Sequence, residues 1–124
     1  MNENIQATPL VEDGFLYIVD QWGIVYKIDA RSGDAGRIVW RMDPKQEKQP
    51  SWGNRGVALW GNYVVSAANF PARIIATNRD TGKVVWETNL HDQQDLMLTA
   101  APMAVRDKII VGAAGGDKGV RDWV

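Results

Sequence analysis

Short apolar runs, each bounded by turn-forming residues, recur along this chain. "GFLYIVDQWGIVYKIDA" holds two runs of β-branched and aromatic residues with Asp20-Gln21-Trp22-Gly23 between them. That arrangement predicts a hairpin, Phe15–Val19 against Ile24–Ile28. "ARSGDAGRIVWRMD" adds a turn and a strand ending near Trp40. The pattern returns in "GNYVVSA", "ARIIATN" and "RDTGKVVWETN", and starts a third time in "AAPMAVRDKIIVG". Nothing long shows helical spacing; "HDQQDLMLTAA" comes nearest and is short.

The returns are regular. Trp40 and Trp86 stand 46 residues apart, and each closes a Val-rich strand that follows a Ser/Thr-Gly turn. Self-similarity at that period, with about four strands per unit, predicts an all-β chain of β-propeller blades. The expected blades are residues 6–43, 54–90 and 99–124, four-stranded and antiparallel, the third lacking its last strand. A blade cannot bury both faces alone, and two and a half blades cannot close a ring. The expectation is therefore a piece of a longer protein. A flat or sandwich-like arrangement of the same strands is the competing architecture.

Composition narrows the classes. The chain has 124 residues, 45% hydrophobic and 23% charged, which suits one modest globular domain. A net charge of -1 gives no electrostatic footprint for nucleic acid or an anionic membrane. No apolar stretch approaches the ~20 residues of a membrane span. "MNENIQATPL" lacks the basic and apolar regions of a signal peptide. The absence of cysteine excludes disulfides and zinc-thiolate sites.

Several strings invite chemistry and fail its spacing rules. The closing "VGAAGGDKGVRDWV" is glycine-rich, but Gly119 follows Lys118 where a phosphate-binding loop needs Ser or Thr. It also lacks G-x-G-x-x-G, and no G-x-S-x-G nucleophile turn occurs anywhere. His91 is the only histidine and sits in a polar loop. "DPKQEKQP", residues 43–50, reads as a solvated connector between blades.

The repeat units "IDARSG…IVW" and "TNRDTGKVVW" resemble A-x-D-x-x-T-G-K-x-x-W, the tryptophan-docking motif of eight-bladed pyrroloquinoline quinone (PQQ) dehydrogenases. "ATPLVEDGFLYI", "NRGVALWGNYV" and "LTAAPMAVRDKIIVGAAGGDKGVRDWV" resemble, in order, three further segments of the alcohol-oxidising branch. The chain thus looks like an N-terminal piece of a quinoprotein alcohol dehydrogenase of the methanol/ethanol type. The resemblance gives Trp40 and Trp86 a packing role on the neighbouring blade.

It also implies a site. PQQ is a planar tricarboxylate quinone held with a Ca²⁺ or lanthanide ion. Arg55 falls on the family arginine that binds the quinone oxygens, and guanidinium suits that task. Thr99 falls on the threonine that contacts a PQQ carboxylate. Ala114, Gly115 and Gly116 fall where backbone amides hold a carboxylate, and Asp117 falls on a glutamate that ligates the metal. Asp keeps the hard oxygen ligands but has a shorter reach. Each has a plain alternative: a surface arginine, a strand hydroxyl bonded to backbone, and a solvated turn aspartate. Departures are Gln49 and Pro50 in place of a vicinal cysteine pair, Gln6 in place of a glutamate, and Ala114 in place of a serine. Trp52 offers a flat surface near the missing pair. The family's catalytic aspartate, asparagine ligand and tryptophan floor lie downstream of Val124, so no catalytic residue is expected here.

Two functions follow. One is a segment of a periplasmic oxidoreductase that takes a small alcohol, passes electrons to a cytochrome c or a membrane quinone, and is completed by the remaining propeller blades. The other is a non-catalytic propeller with PQQ-like repeats that serves as a protein-interaction scaffold.

Overall fold

Ten strands form among residues 5–48, 53–91 and 96–116, the residues that the computed structural model describes. Sheet one is the meander β1 (Leu10–Glu12), β2 (Phe15–Val19), β3 (Val25–Asp29) and β4 (Arg37–Met42). Sheet two repeats it with β5 (Ala58–Trp60), β6 (Tyr63–Ala68), β7 (Ala72–Asn78) and β8 (Val84–His91). β9 (Met103–Val105) and β10 (Lys108–Ile110) form a third, two-stranded hairpin. All pairings are antiparallel, and no helix is present among the described residues that could cross a membrane.

The first hairpin forms one residue later than its sequence pattern suggests. β2 pairs with Val25–Asp29, because Ile24 is consumed by the turn: its carbonyl accepts the Asp20 N–H at 3.0 Å. Asp20 is fully buried and organises that turn. One carboxylate oxygen accepts the Trp22 and Ile24 N–H groups at 2.9 and 3.1 Å, and the other accepts the Tyr26 hydroxyl at 3.2 Å.

Alternation along β6 explains how the sheets stack. Val64 and Ala68 point into a cluster with Tyr17, Val19, Val25, Trp40 and Met42 of sheet one. Val65 and Ala67 point the other way, into a cluster with Ile74, Ala76, Leu96 and Leu98. A period of two puts these side chains on opposite faces, so sheet two is covered on both sides. A flat sheet or two-layer sandwich would not do this; stacked blades of a partial β-propeller do. Sequence reflects it: β6 and β7 read "YVVSAA" and "ARIIATN", nearly continuous in small and branched apolar residues.

Trp40 ties sheet one to sheet two. Its indole Nε1 donates to the Arg79 carbonyl at 3.0 Å, and a Cβ placed on Gly82 would lie 2.7 Å from its Cγ. Gly82 also has φ +75, a conformation that suits glycine at the β7–β8 turn. The same carbonyl takes Lys27 Nζ at 2.9 Å. Between sheet two and the hairpin, Trp60 Nε1 makes the equivalent bond to the Arg106 carbonyl at 2.8 Å. Trp86 is half-buried beside Ile74, Leu90, Ile109 and Val111.

The connector at residues 43–48 is less solvated than its charge suggests. Pro44 and Gln46 are buried, alternating with exposed Asp43, Lys45 and Glu47. The Pro44 carbonyl accepts from Arg73 at 2.9 Å, so the segment is tied to sheet two.

Candidate cofactor-binding site

Three inner segments meet at the end of the sheets that carries the β2–β3 and β6–β7 turns. The Thr8 N–H donates to the Arg55 carbonyl at 3.1 Å, and the Arg55 N–H donates to the Thr99 carbonyl at 3.0 Å. This backbone relay brings residues from the three repeats side by side.

The local sequence Asn54-Arg55-Gly56 holds Arg55 in place. Asn54 Nδ2 donates to the Ala67 carbonyl at 2.9 Å, while its Oδ1 accepts the Gly56 N–H at 3.2 Å. An asparagine folded back on its own backbone fixes a tight bend. Gly56 is favoured by its φ of 152; a Cβ there would also make a tight 3.3 Å contact with Ala101 Cβ.

Arg55 and Thr99, separated by 44 residues, touch directly. Arg55 Nη1 donates to Thr99 Oγ1 at 2.7 Å. Arg55 is exposed, whereas Thr99 is buried. Among the described residues no carboxylate forms an ion pair with Arg55. Among the described residues, this end therefore presents a guanidinium outside any ion pair, with a hydroxyl bonded against it. Because Thr99 Oγ1 accepts from Arg55, its own proton is left to point at another acceptor.

Gln6 lies nearby, over residue 53: a Cβ on Gly53 would be 2.7 Å from Gln6 Oε1. Ala114 is held two residues upstream of Thr99 in register. It exchanges both backbone bonds with Met97, N–H to carbonyl at 2.7 Å and the reverse at 2.9 Å. The Ala114 amide is thus already engaged; Gly115 is buried and Gly116 is exposed. Asp117, Gln49, Pro50 and Trp52 lie outside the described residues. Among the described residues no cluster of three or more acidic, His or Cys side chains could hold a metal.

A hollow of about 540 Å³ sits at the opposite end of sheet one, lined by Asp29, Arg31, Ser32, Ala35 and Arg37. It is an open dip at the β3–β4 turn. Its cations are occupied: Arg31 binds Asp29 at 2.7 Å, and that hydrogen bonding holds the Asp29 carboxyl well below the usual carboxylate range. The Arg55–Thr99 end is the better candidate.

Two positions at this end were given no role by the sequence. Asn54 opens the "NRGV" string, in which only Arg55 was assigned one. Asn69 reads as part of a turn in "ANFP", yet it is buried and bonded to the segment that carries Thr99.

The family described as "PQQ: Glucose/ethanol/alcohol dehydrogenase, beta-propeller domain" matches residues 1–122. The chain is 40% identical over 120 residues to the quinoprotein alcohol dehydrogenase PedH of Pseudomonas putida, covering 93% of this chain and 20% of that protein. The crystal structure of the quinohemoprotein alcohol dehydrogenase from Comamonas testosteroni superposes with a TM-score of 0.84 at 35% identity, over 96% of this chain and 18% of that one. A europium-containing methanol dehydrogenase superposes with a TM-score of 0.81 at 28% identity, over 95% and 22%. The chain thus spans about a fifth of the length of these relatives.

Proposed function

Because this chain belongs to the PQQ β-propeller family of glucose, ethanol and alcohol dehydrogenases, we propose that it is a segment of a quinoprotein that oxidises an alcohol, and that its Arg55–Thr99 end is one wall of the PQQ pocket. Residues 6–43, 54–90 and 99–124 are the blades it contributes to an eight-bladed ring. The observation that carries the reading is the 2.7 Å bond between Arg55 and Thr99. Two residues picked out by separate local resemblances, far apart in sequence, form one donor unit.

The donor set fits a planar tricarboxylate. An exposed guanidinium without an ion-pair partner among the described residues offers flat, permanently charged N–H donors to quinone or carboxylate oxygens. The Thr99 hydroxyl keeps a proton for a carboxylate, and the Gly115 and Gly116 amides add neutral donors. Asp117 is the proposed ligand for a Ca²⁺ or lanthanide ion, its hard carboxylate oxygens matching either cation. When bound, PQQ supplies a quinone that accepts the equivalent of a hydride from the alcohol carbon, with the metal as Lewis acid. The residues of this chain bind and orient; no proton-abstracting base is assigned among them. The chain alone is accordingly proposed to be inactive, completed in the parent by further blades. A periplasmic location and a cytochrome c or membrane quinone as electron acceptor complete the proposal.

The test uses the full-length protein that carries these residues. PQQ with Ca²⁺ or a lanthanide is titrated by absorbance, followed by dye-linked oxidation of small alcohols. Arg55→Ala is expected to weaken PQQ binding about 10- to 100-fold, the scale of one or two lost charge-assisted hydrogen bonds. Absence of PQQ binding by the wild type would sink this reading and favour the scaffold one.

A further inference from the structure

Asn69 reaches the segment that carries Thr99, and Gln46, from a different part of the chain, holds Asn69. Gln46 comes from the connector between the sheets, Asn69 from the β6–β7 turn. Both are buried, at 7% and 2% exposure. The Asn69 N–H donates to Gln46 Oε1 at 2.8 Å. Asn69 Oδ1 accepts the Leu98 N–H at 2.6 Å, and Asn69 Nδ2 lies 3.5 Å from the Leu98 carbonyl.

Leu98 is fully buried, so its backbone groups have no recourse to water. Residues 96–99 belong to no regular strand ladder; the Leu96 and Leu98 side chains pack into the sheet-two cluster, and the backbone groups of residues 97–99 are each bonded to a single residue. Met97 is held by Ala114, Leu98 by Asn69, and Thr99 by Arg55. Asn69 is thus the only one of these partners that anchors the segment to the body of sheet two without itself being a candidate ligand group. A cost accompanies it: Gln46 Nε2 is buried with no hydrogen-bond partner among the described residues. An unpaired buried donor is rare in native proteins and calls for a reason. Here it accompanies the acceptor that holds Asn69.

We infer that Asn69, braced by Gln46, is the positioning residue that fixes Thr99, and through Thr99 the Arg55 guanidinium, in the orientation that receives the cofactor. This rests on the proposed PQQ site. Asn69 itself touches no ligand; it acts by setting where the Thr99 hydroxyl lies. Losing it frees the segment to shift, and a small displacement of the hydroxyl removes the partner that aims Arg55.

The test uses the full-length protein and two readouts. In the cofactor-free state, hydrogen exchange reports the Arg55 amide, which is bonded to the Thr99 carbonyl. Asn69→Ala is expected to speed its exchange while β2 and β3 amides keep their protection. PQQ titration supplies the second readout: Asn69→Ala is expected to weaken binding roughly 10-fold, the low end of the effect seen when a partner that orients a metal ligand is removed. In a Thr99→Val background the same substitution should weaken it little further, since the group it positions is gone. A merely structural role would lower stability in both backgrounds and leave the two affinity losses additive. Gln46→Met, which removes the brace and the unpaired donor together, should give a smaller loss in the same direction and serves if Asn69→Ala does not fold. Unchanged exchange at Arg55 in the folded variants overturns the inference, as does additivity with Thr99→Val. Failure of the wild type to bind PQQ would overturn the functional reading, while the exchange result still decides whether Asn69 orders the Arg55–Thr99 pair.

Discussion

Asp20 shows how much one side chain can be asked to do. Its carboxylate serves two turn amides and the Tyr26 phenol in a site closed to water. Asp20→Ala leaves the Ile24 N–H and the Tyr26 phenol buried and unpaired, and should cost about 3 kcal/mol in a denaturation experiment. Burial first, and then the Asp20 charge, push the Tyr26 phenol above its usual 10.0. The sign follows: the fold prefers the neutral phenol, so this contribution is complete below pH 10 and is lost as pH climbs through the raised value. Thermal midpoints should therefore fall more steeply above pH 10 in the wild type than in Tyr26→Phe. Equal slopes would show that Tyr26 is not the group responsible. In the sequence, Asp20 is visible as a turn residue before Gly23. Its burial is not, because that depends on the sheet packed over it.

At the scale of elements, the bond between sheets one and two runs through Trp40 and the β7–β8 turn. Trp40→Ala removes a buried ring and should cost ~3–5 kcal/mol. Gly82→Ala should cost about 1–3 kcal/mol, through its positive φ and the collision of the new Cβ with the Trp40 ring. The two should not add: with Trp40 gone the collision disappears, and the double variant falls short of the sum. Urea midpoints of the three variants measure this, and full additivity would mean that Trp40 and Gly82 are not in contact. The strands themselves were legible, since turn residues and β-branched runs mark their limits to within a residue or two. The connector at 43–48 was not. Its charges suggest solvent, but alternate residues turn inward to meet Arg73 and Asn69.

At the scale of the molecule, the outer strands present apolar side chains with nothing over them among the described residues. Ile38 and Val39 on β4, Val84 and Val85 on β8, and Met103 and Ile110 on the hairpin are all exposed. Sheet two is covered on both faces; sheet one and the hairpin are each covered on one. The isolated 124-residue chain should self-associate and unfold with weak cooperativity. Sedimentation and thermal scans at several concentrations check this, and a sharp, concentration-independent monomeric transition would count against it.

The sequence by itself determined the repeat. Its period, its turn residues and its tryptophan spacing predicted repeated antiparallel strand units, because alternation and turn chemistry are local properties, while the stacking of sheet two between two clusters decided for blades over a sandwich. The sequence also marked Arg55 and Thr99, each through the short string around it. What it did not contain was their meeting. That depends on three inner segments lying side by side, on a glycine that adopts the positive φ of the bend between them, and on Asn69 reaching across from sheet two. Contacts between residues so far apart in the chain are set by how sheets stack, so only the tertiary structure could join two separate strings into one candidate site.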